Sequence, residues 1–295
     1  MVLFGAGASH LDGGYDRPHL TRDLFDSLHP QFPDSWGRIP PYRAKDFADH
    51  FESAMDEIAT DSKLLAEMTI DMALYFSSFR PRQIPEEPYY KIFIRCMKLI
   101  RSRKLVFATL NYDCLIELAA EQAGLIFLPY YFKSGDGLRL LKLHGSCNFP
   151  VNQDKIHIKE KLTMAQASRF ESVIEPCHPR EVAKLLKKRP CFPPAMALIT
   201  PGKQILSCDN QIRQLQNIYA KTVTQASHVA IVGARPNRQD DHVWGPIART
   251  KARVAFIGSA GPFNELSVMR EGKSVIQLGE KFEDSVDDLL GFLIT

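Results

Sequence analysis

The chain has 295 residues, 45% of them hydrophobic and 24% charged, a balance that excludes a disordered or fibrous protein. It allows either one large core with a substantial insertion or two modest domains. The formal net charge of +3 is too small to support a nucleic-acid-coating surface, so no direct nucleic-acid partner is expected.

The first apolar run, Val2 to Phe4, is broken by glycines at 5 and 7, which predicts a strand and a tight turn before a polar stretch up to Leu20. Thr21 is placed to cap a helix through Leu28, and Pro30 to Pro41 reads as a loop. From Ala44 to Phe79 apolar residues recur at helical spacing, predicting two amphipathic helices that end at Pro81, Pro85 and Pro88. Tyr89 to Ile100 predicts a further helix. Lys104 to Ala108 returns to strand character, Asp113 to Gly124 predicts a helix closed by a C-terminal glycine, and Leu138 to Leu143 predicts the next strand. Beyond it, helices are expected at Lys161 to Val173 and Arg180 to Lys188, and the basic run Lys184 to Arg189 reads as a solvated helix end.

Met196 to Thr200, His228 to Val232, Arg253 to Ile257 and Val275 to Leu278 predict four more strands. Helices near Asn210 to Gln225, Asp241 to Thr250, Phe263 to Glu271 and Phe282 to Leu293 follow them. This alternation predicts an α/β fold: a doubly wound, mostly parallel, Rossmann-like sheet with helical insertions. The expected units are 1–29 with 103–295 as the Rossmann domain, 30–102 as a helical insertion and 147–195 as a second, smaller insertion.

Four short blocks stand at the ends of these strands. Gly5-Ala6-Gly7-Ala8-Ser9 is a phosphate-cradle pattern, because glycine lets backbone N–H groups approach a pyrophosphate. It departs from the full Gly-x-Gly-x-x-Gly fingerprint at His10, and no acidic residue ends a second strand about twenty residues on, which weakens a dehydrogenase reading. Thr109-Leu-Asn111-Tyr-Asp113 brings an amide and a carboxylate to a strand tip, suited either to ribose hydroxyls and a carboxamide or to a turn and a helix cap. His144, followed by Gly145, is positioned as a general base facing a cleft. Ile231-Val-Gly233-Ala-Arg235 completes the set.

Together the blocks resemble the sirtuin-like NAD-dependent family. The resemblance implies that Gly5, Ala6, Gly7, Ala8 and Ser9 form its pyrophosphate and nicotinamide loop, that Thr109 to Asp113 match its Thr-Gln-Asn-Ile-Asp block, and that Leu143-His144-Gly145 match its catalytic His-Gly. Gly233 and Arg235 would lie near the phosphates, and Ser259, in Ile257-Gly-Ser259, at the ribose and adenine strand end. The departures narrow this. Protein-deacetylating members carry a four-cysteine zinc module and a Phe-Gly-Glu segment after the His-Gly block. Here the six cysteines (Cys96, Cys114, Cys147, Cys177, Cys191, Cys208) include no Cys-x-x-Cys pair and no such segment follows His144. Leu110 replaces a glutamine, and Gly-Tyr-Asp-Arg17-Pro stands where Gly-Ile-Pro-Asp-Phe-Arg is expected, so Arg17 does not inherit that arginine's role.

The chain is thus similar to the zinc-free bacterial branch of NAD-hydrolysing antiphage effectors, in which Lys142-Leu-His-Gly-Ser146 and Asp240-Asp-His-Val-Trp244 are familiar. The implied activity is cleavage of NAD, as substrate, to nicotinamide and ADP-ribose, with no metal expected. Asn111 would orient ribose and water, Asp113 would hold the carboxamide, and His144 would accept a proton. A protein deacylase or ADP-ribosyltransferase and a non-catalytic NAD or ADP-ribose sensor are the alternatives; the sensor would need neither base nor amide. The resemblance also implies restraint by homo-oligomer formation or by an ATPase or Argonaute-type defence partner, with the helical region Ala44 to Ile100 as the place for such contacts. The free-thiol cysteines, the lack of a bilayer-length apolar run and the absence of a charged leader before the strand at Val2 lead to a cytoplasmic expectation, without a membrane partner. That strand opens abruptly, as it would if an N-terminal extension preceded this chain.

Overall fold

A computed structural model describes residues 1–11, 17–58, 61–81, 86–125, 138–158, 170–187, 191–200 and 203–294. Six short strands form one sheet: β1 (Val2–Phe4), β2 (Phe107–Thr109), β3 (Leu140–Lys142), β6 (His228–Val232), β7 (Arg253–Ile257) and β8 (Val275–Gly279). All are parallel, in the order β3-β2-β1-β6-β7-β8. The strands of β1, β2, β6 and β7 are buried almost throughout, which is why they read as continuous apolar runs rather than alternating ones.

The register decides the geometry of the site. Phe4 lies opposite both Thr109 and Val232, Thr109 opposite Lys142, and Val232 opposite Ile257. Gly5, Leu110, Leu143, Gly233 and Gly258, the residues one step beyond these pairs, therefore leave the sheet at one edge. The chain moves outward from β1 through β2 and β3 on one side and from β6 through β7 and β8 on the other. The topological switch point thus lies between β1 and β6, where parallel sheets open a ligand crevice.

The remaining elements are α1 (Ala6–His10), α2 (Thr21–Gln31), α3 (Ala44–Ile58), α4 (Ser62–Ser77), α5 (Pro88–Arg101), α6 (Leu115–Gln122), α7 (Pro179–Leu186), α8 (Asp209–Gln225), α9 (Asp241–Arg249), α10 (Ala260–Met269) and α11 (Val286–Ile294). A two-stranded antiparallel ribbon, β4 (His157–Ile158) with β5 (Phe170–Glu171), lies apart from the main sheet. No helix among the described residues is long and apolar enough to cross a membrane.

Two apolar cores result. The larger spans the sheet and includes α5: Phe4 meets Tyr89 edge-on at 5.0 Å and stacks on Phe107 at 6.1 Å, while Phe93 meets Phe107 at 5.3 Å. The smaller joins α2, α3 and α4 to α7, with Phe25 stacked on Phe47 at 4.4 Å around the fully buried Trp36, whose indole N–H donates to the Met68 carbonyl. Within the proposed units 1–29 with 103–295, 30–102 and 147–195, α5 therefore packs on the sheet, and α2 packs with α3 and α4.

Several local expectations are corrected. Met196 to Thr200 is not a sheet strand. Its residues make isolated antiparallel bridges, Gly145 with Met196 and Ala197 with Ile205, as the segment seals the end of β3. Burial alone made it apolar. The polar stretch after Gly5 begins with the short helix α1, and Leu20, not Thr21, is the N-cap of α2, with no side-chain cap. Pro30 lies inside α2 rather than opening a loop. Phe170 and Glu171 belong to β5 rather than to a helix, Ser172 and Val173 are not helical either, and 161–169 of the expected helix lie outside the described residues, as do Gly14 to Asp16, Pro85 and Lys188 to Pro190. Phe282 precedes α11 instead of starting it.

Gly145 has φ +74°, and a Cβ there would stand 1.9 Å from the Ala195 carbonyl oxygen. Neither the backbone angle nor the space admits a side chain. Gly145→Ala is expected to cost about 2–4 kcal/mol, read as a lowered urea midpoint with an unchanged slope.

Candidate active site

At the switch point the sheet edge opens into a cleft of about 920 Å³, in the upper part of the range for small-molecule sites. It is lined by the loops after β1, β2, β3, β6, β7 and β8, so every strand of the sheet contributes. Of the residues singled out in the sequence, Gly5, Ala6, Gly7, Asn111, His144, Gly233, Arg235 and Ser259 line it. Ala8, Ser9, Thr109 and Asp113 do not; they are buried behind the wall.

Asn111 is held on three sides. Its backbone N–H donates to Thr109 Oγ1 (3.0 Å), and its Nδ2 donates to the Gly5 carbonyl and to Ser9 Oγ, both at 2.9 Å. Ser9 Oγ in turn lies 3.1 Å from the hydroxyl of Tyr89 on α5. Both amide protons are taken, which leaves Oδ1 to accept from a hydroxyl or water. Ser9 and Thr109 thus position the amide instead of meeting a ligand.

The glycine loop behaves differently from a simple phosphate cradle. The Gly5 N–H donates to the Val232 carbonyl (2.9 Å) and the Gly7 N–H to the Gly233 carbonyl (2.8 Å). A Cβ on Gly5 would sit 2.5 Å from Ala234, and one on Gly233, at φ +61°, would sit 2.3 Å from the Ala8 nitrogen. These glycines interlock the β1 and β6 loops backbone to backbone, with two of the expected cradle amides already bonded.

Asp113 is similarly redirected. Its Oδ1 accepts the Leu115 N–H (3.0 Å) and starts α6. Burial pushes its carboxyl above the ordinary value, opposed by the Lys142 charge. Lys142 is wholly buried, its Nζ donating to Glu117 Oε1 (2.9 Å) and to the Asp113 carbonyl (2.5 Å). This pair anchors β3 to the start of α6 directly behind His144.

His144 is 6% exposed, and its Nε2 has no hydrogen-bond partner. Burial, then the nearby charges of Lys203 and His242, hold its imidazole well below the usual range, against a raising contribution from its hydrogen bond to the Leu110 backbone. The ring is therefore neutral near pH 7, with a free lone pair, the state a general base requires. Gln216 on α8 donates to the Leu143 carbonyl (2.9 Å) and steadies the strand end that carries it.

Other cleft residues were given no role from the sequence. Asp240, the N-cap of α9, is buried with Oδ1 unpartnered, and burial raises its carboxyl to about 6, partly offset by Lys203. His242 lies against His144, ring centroids 5.4 Å apart. Lys203 pairs with Glu52, and Glu280 to Glu283 follow β8 at the far end. The block 240–244 was noted for its resemblance to a family helix start, with no role in the cleft attached to Asp240 or His242. On the rim, Arg235 makes a two-pronged pair with Glu265 (2.6 and 3.1 Å).

Fold and site together define an α/β protein with a parallel sheet and a polar cleft at its switch point, furnished with a fixed amide and a neutral histidine. No family model and no curated protein matches the chain. It is similar to solved structures of Sir2 enzymes: one solved for the mechanism and regulation of these enzymes (12% identity, 99% of this chain and 90% of that chain, TM-score 0.43); a variant Sir2 homologue in complex with ADP-ribose (14%, 100% and 91%, 0.42); and a multiply substituted homologue in complex with 2′-O-acetyl-ADP-ribose (12%, 99% and 91%, 0.44).

Proposed function

We propose that the protein hydrolyses NAD at the nicotinamide–ribose bond, consuming water and giving nicotinamide, ADP-ribose and a proton. The observation that carries this reading is the meeting of Asn111 and His144 in one cleft, the first locked by Ser9 and Gly5, the second neutral with Nε2 unpartnered. Departure of nicotinamide leaves an oxocarbenium-like ribose, so catalysis needs the sugar oriented and a water directed at its anomeric carbon. Asn111 Oδ1 is suited to orient a ribose hydroxyl or that water, and His144 Nε2 to take the proton. Asp113, behind the wall, is assigned to supporting this arrangement through Ser9 and α6, not to touching the carboxamide.

The pyrophosphate is assigned to the Gly5–Ala6–Gly7 and Gly233 loops and the Arg235 guanidinium, and the adenosine end to Ser259 with the carboxylates after β8. Arg235→Ala should raise KM about fivefold with kcat unchanged, the effect of losing one exposed charge-assisted contact of about 1 kcal/mol. The order of the strand-end blocks, similar to that of NAD-hydrolysing antiphage effectors, supports a defence role by NAD depletion, cytoplasmic and restrained by self-assembly or a defence partner.

The test is nicotinamide release by the purified chain, with and without an acetylated peptide. Release from NAD alone supports the hydrolase. Release that requires the peptide would replace it with a deacylase, and NAD binding without release under either condition would replace it with a sensor.

A further inference from the structure

We infer that His144, Asp240 and His242 form a site for a zinc-class divalent cation. Their candidate donor atoms all lie within 4.8 Å of one another. His144 comes from the end of β3, whereas Asp240 and His242 open α9, about a hundred residues later in the chain. Residues two apart normally face different ways on a helix, but Asp240 is the N-cap, with non-helical φ −93° and ψ 52°.

A second observation is independent of that proximity. His144 Nε2, Asp240 Oδ1 and His242 Nε2 are each buried with no hydrogen-bond partner, and His144 and Asp240 are 6% and 4% exposed. Buried polar atoms are otherwise nearly always paired, so an orphan on each of three clustered side chains marks a place for a shared occupant. Two imidazole nitrogens and one carboxylate oxygen match Zn²⁺ and its first-row neighbours, whereas Mg²⁺ and Ca²⁺ take oxygen donors. Closing the donors onto an ion at about 2.1 Å takes side-chain movement of roughly 1 Å. The nearby Lys203 ammonium is paired with Glu52, which lessens its opposition to a cation.

The site has a regulatory consequence, which rests on the reading of His144 as the base. An ion bound at Nε2 occupies the lone pair that must accept the proton, so the bound cation silences turnover and its removal restores it.

The experiment titrates the chelator-stripped full chain with Co²⁺ and Zn²⁺, by absorption and calorimetry, alongside Asp240→Asn and His242→Gln, with far-UV circular dichroism confirming the fold of each. Expected are one Co²⁺ per chain with ligand-field bands of nitrogen and oxygen coordination, and affinity lowered more than about tenfold in both variants. Unchanged affinity in both, or thiolate charge-transfer bands showing that cysteines hold the ion, would overturn the site. Suppression of wild-type nicotinamide release by one equivalent of Zn²⁺, reversed by chelator, supports the coupling to His144; full activity with the site loaded overturns that coupling. A chain that binds Co²⁺ through these residues yet never releases nicotinamide upholds the site, and the hydrolase reading alone fails.

Discussion

His144→Ala and Asn111→Ala should each lower the rate of nicotinamide release by about 10²–10⁴-fold, the contribution of a positioned acid–base or orienting group, with the fold intact. The two differ in what else they disturb. His144 Nε2 bonds nothing in the protein, so the loss of the ring removes the reactive nitrogen together with its hydrogen bond to the Leu110 backbone and leaves the bonds of Asn111 in place. NAD affinity by calorimetry should therefore stay within about threefold of the wild type, since a group used only in the transition state leaves ground-state binding alone. Asn111 also ties the Gly5 carbonyl to Ser9, and its replacement removes one hydrogen bond from each. Asn111→Ala should consequently weaken NAD binding as well, because the β1 loop loses its anchor. Asn111→Asp separates the two roles: it keeps an accepting oxygen but sets a carboxylate against the Gly5 carbonyl. A His144→Ala protein that retained full turnover would sink the assignment of the base.

Lys142→Met should destabilise the protein by about 3–5 kcal/mol, the usual cost of breaking a buried ion pair by removing one partner. The ammonium is buried in β3 and bonded to Glu117 and to the Asp113 carbonyl, so its loss removes a positive charge and two hydrogen bonds from a buried site. Burial alone would depress its pKa, but the Glu117 charge, with Cys114, Cys147 and Asp113, raises it above the ordinary lysine value. A raised lysine contributes fully below its unfolded value, about 10.4, and that contribution fades only as pH climbs through the folded value. The stability gap between wild type and variant, read by urea titration, should therefore be level over about pH 7 to 9. Adding Glu117→Leu should recover part of the loss, since the carboxylate that faced the ammonium is then gone. A gap below about 1 kcal/mol, the range of an exposed pair, would show that the ammonium reaches solvent.

The two predictions draw on different kinds of information in the chain. The apolar runs at Val2, Phe107, Leu140, His228 and Arg253, and the Gly, Asn and His residues that end them, were legible because a buried parallel strand and the turn beyond it are local patterns. Asn111 and His144 follow from that reading. The central place of β1 in the order β3-β2-β1-β6-β7-β8, and the register that puts Phe4 beside both Thr109 and Val232, come from pairings of β1 with segments more than a hundred residues away, which no local window contains. Those pairings bond the Gly5 and Gly7 amides to the β6 loop and bring Asp240 and His242 against His144, whereas the bond from the Leu115 N–H to Asp113 is local and was among the uses its sequence position allowed. Met196 to Thr200 marks the same boundary, since burial makes a loop as apolar as a strand and only a hydrogen-bonded neighbour tells them apart. Local pattern sets which residues end the strands, and packing between distant segments sets which of their polar atoms stay available, because bonds such as those of Asn111 to Gly5 and Ser9 occupy the others.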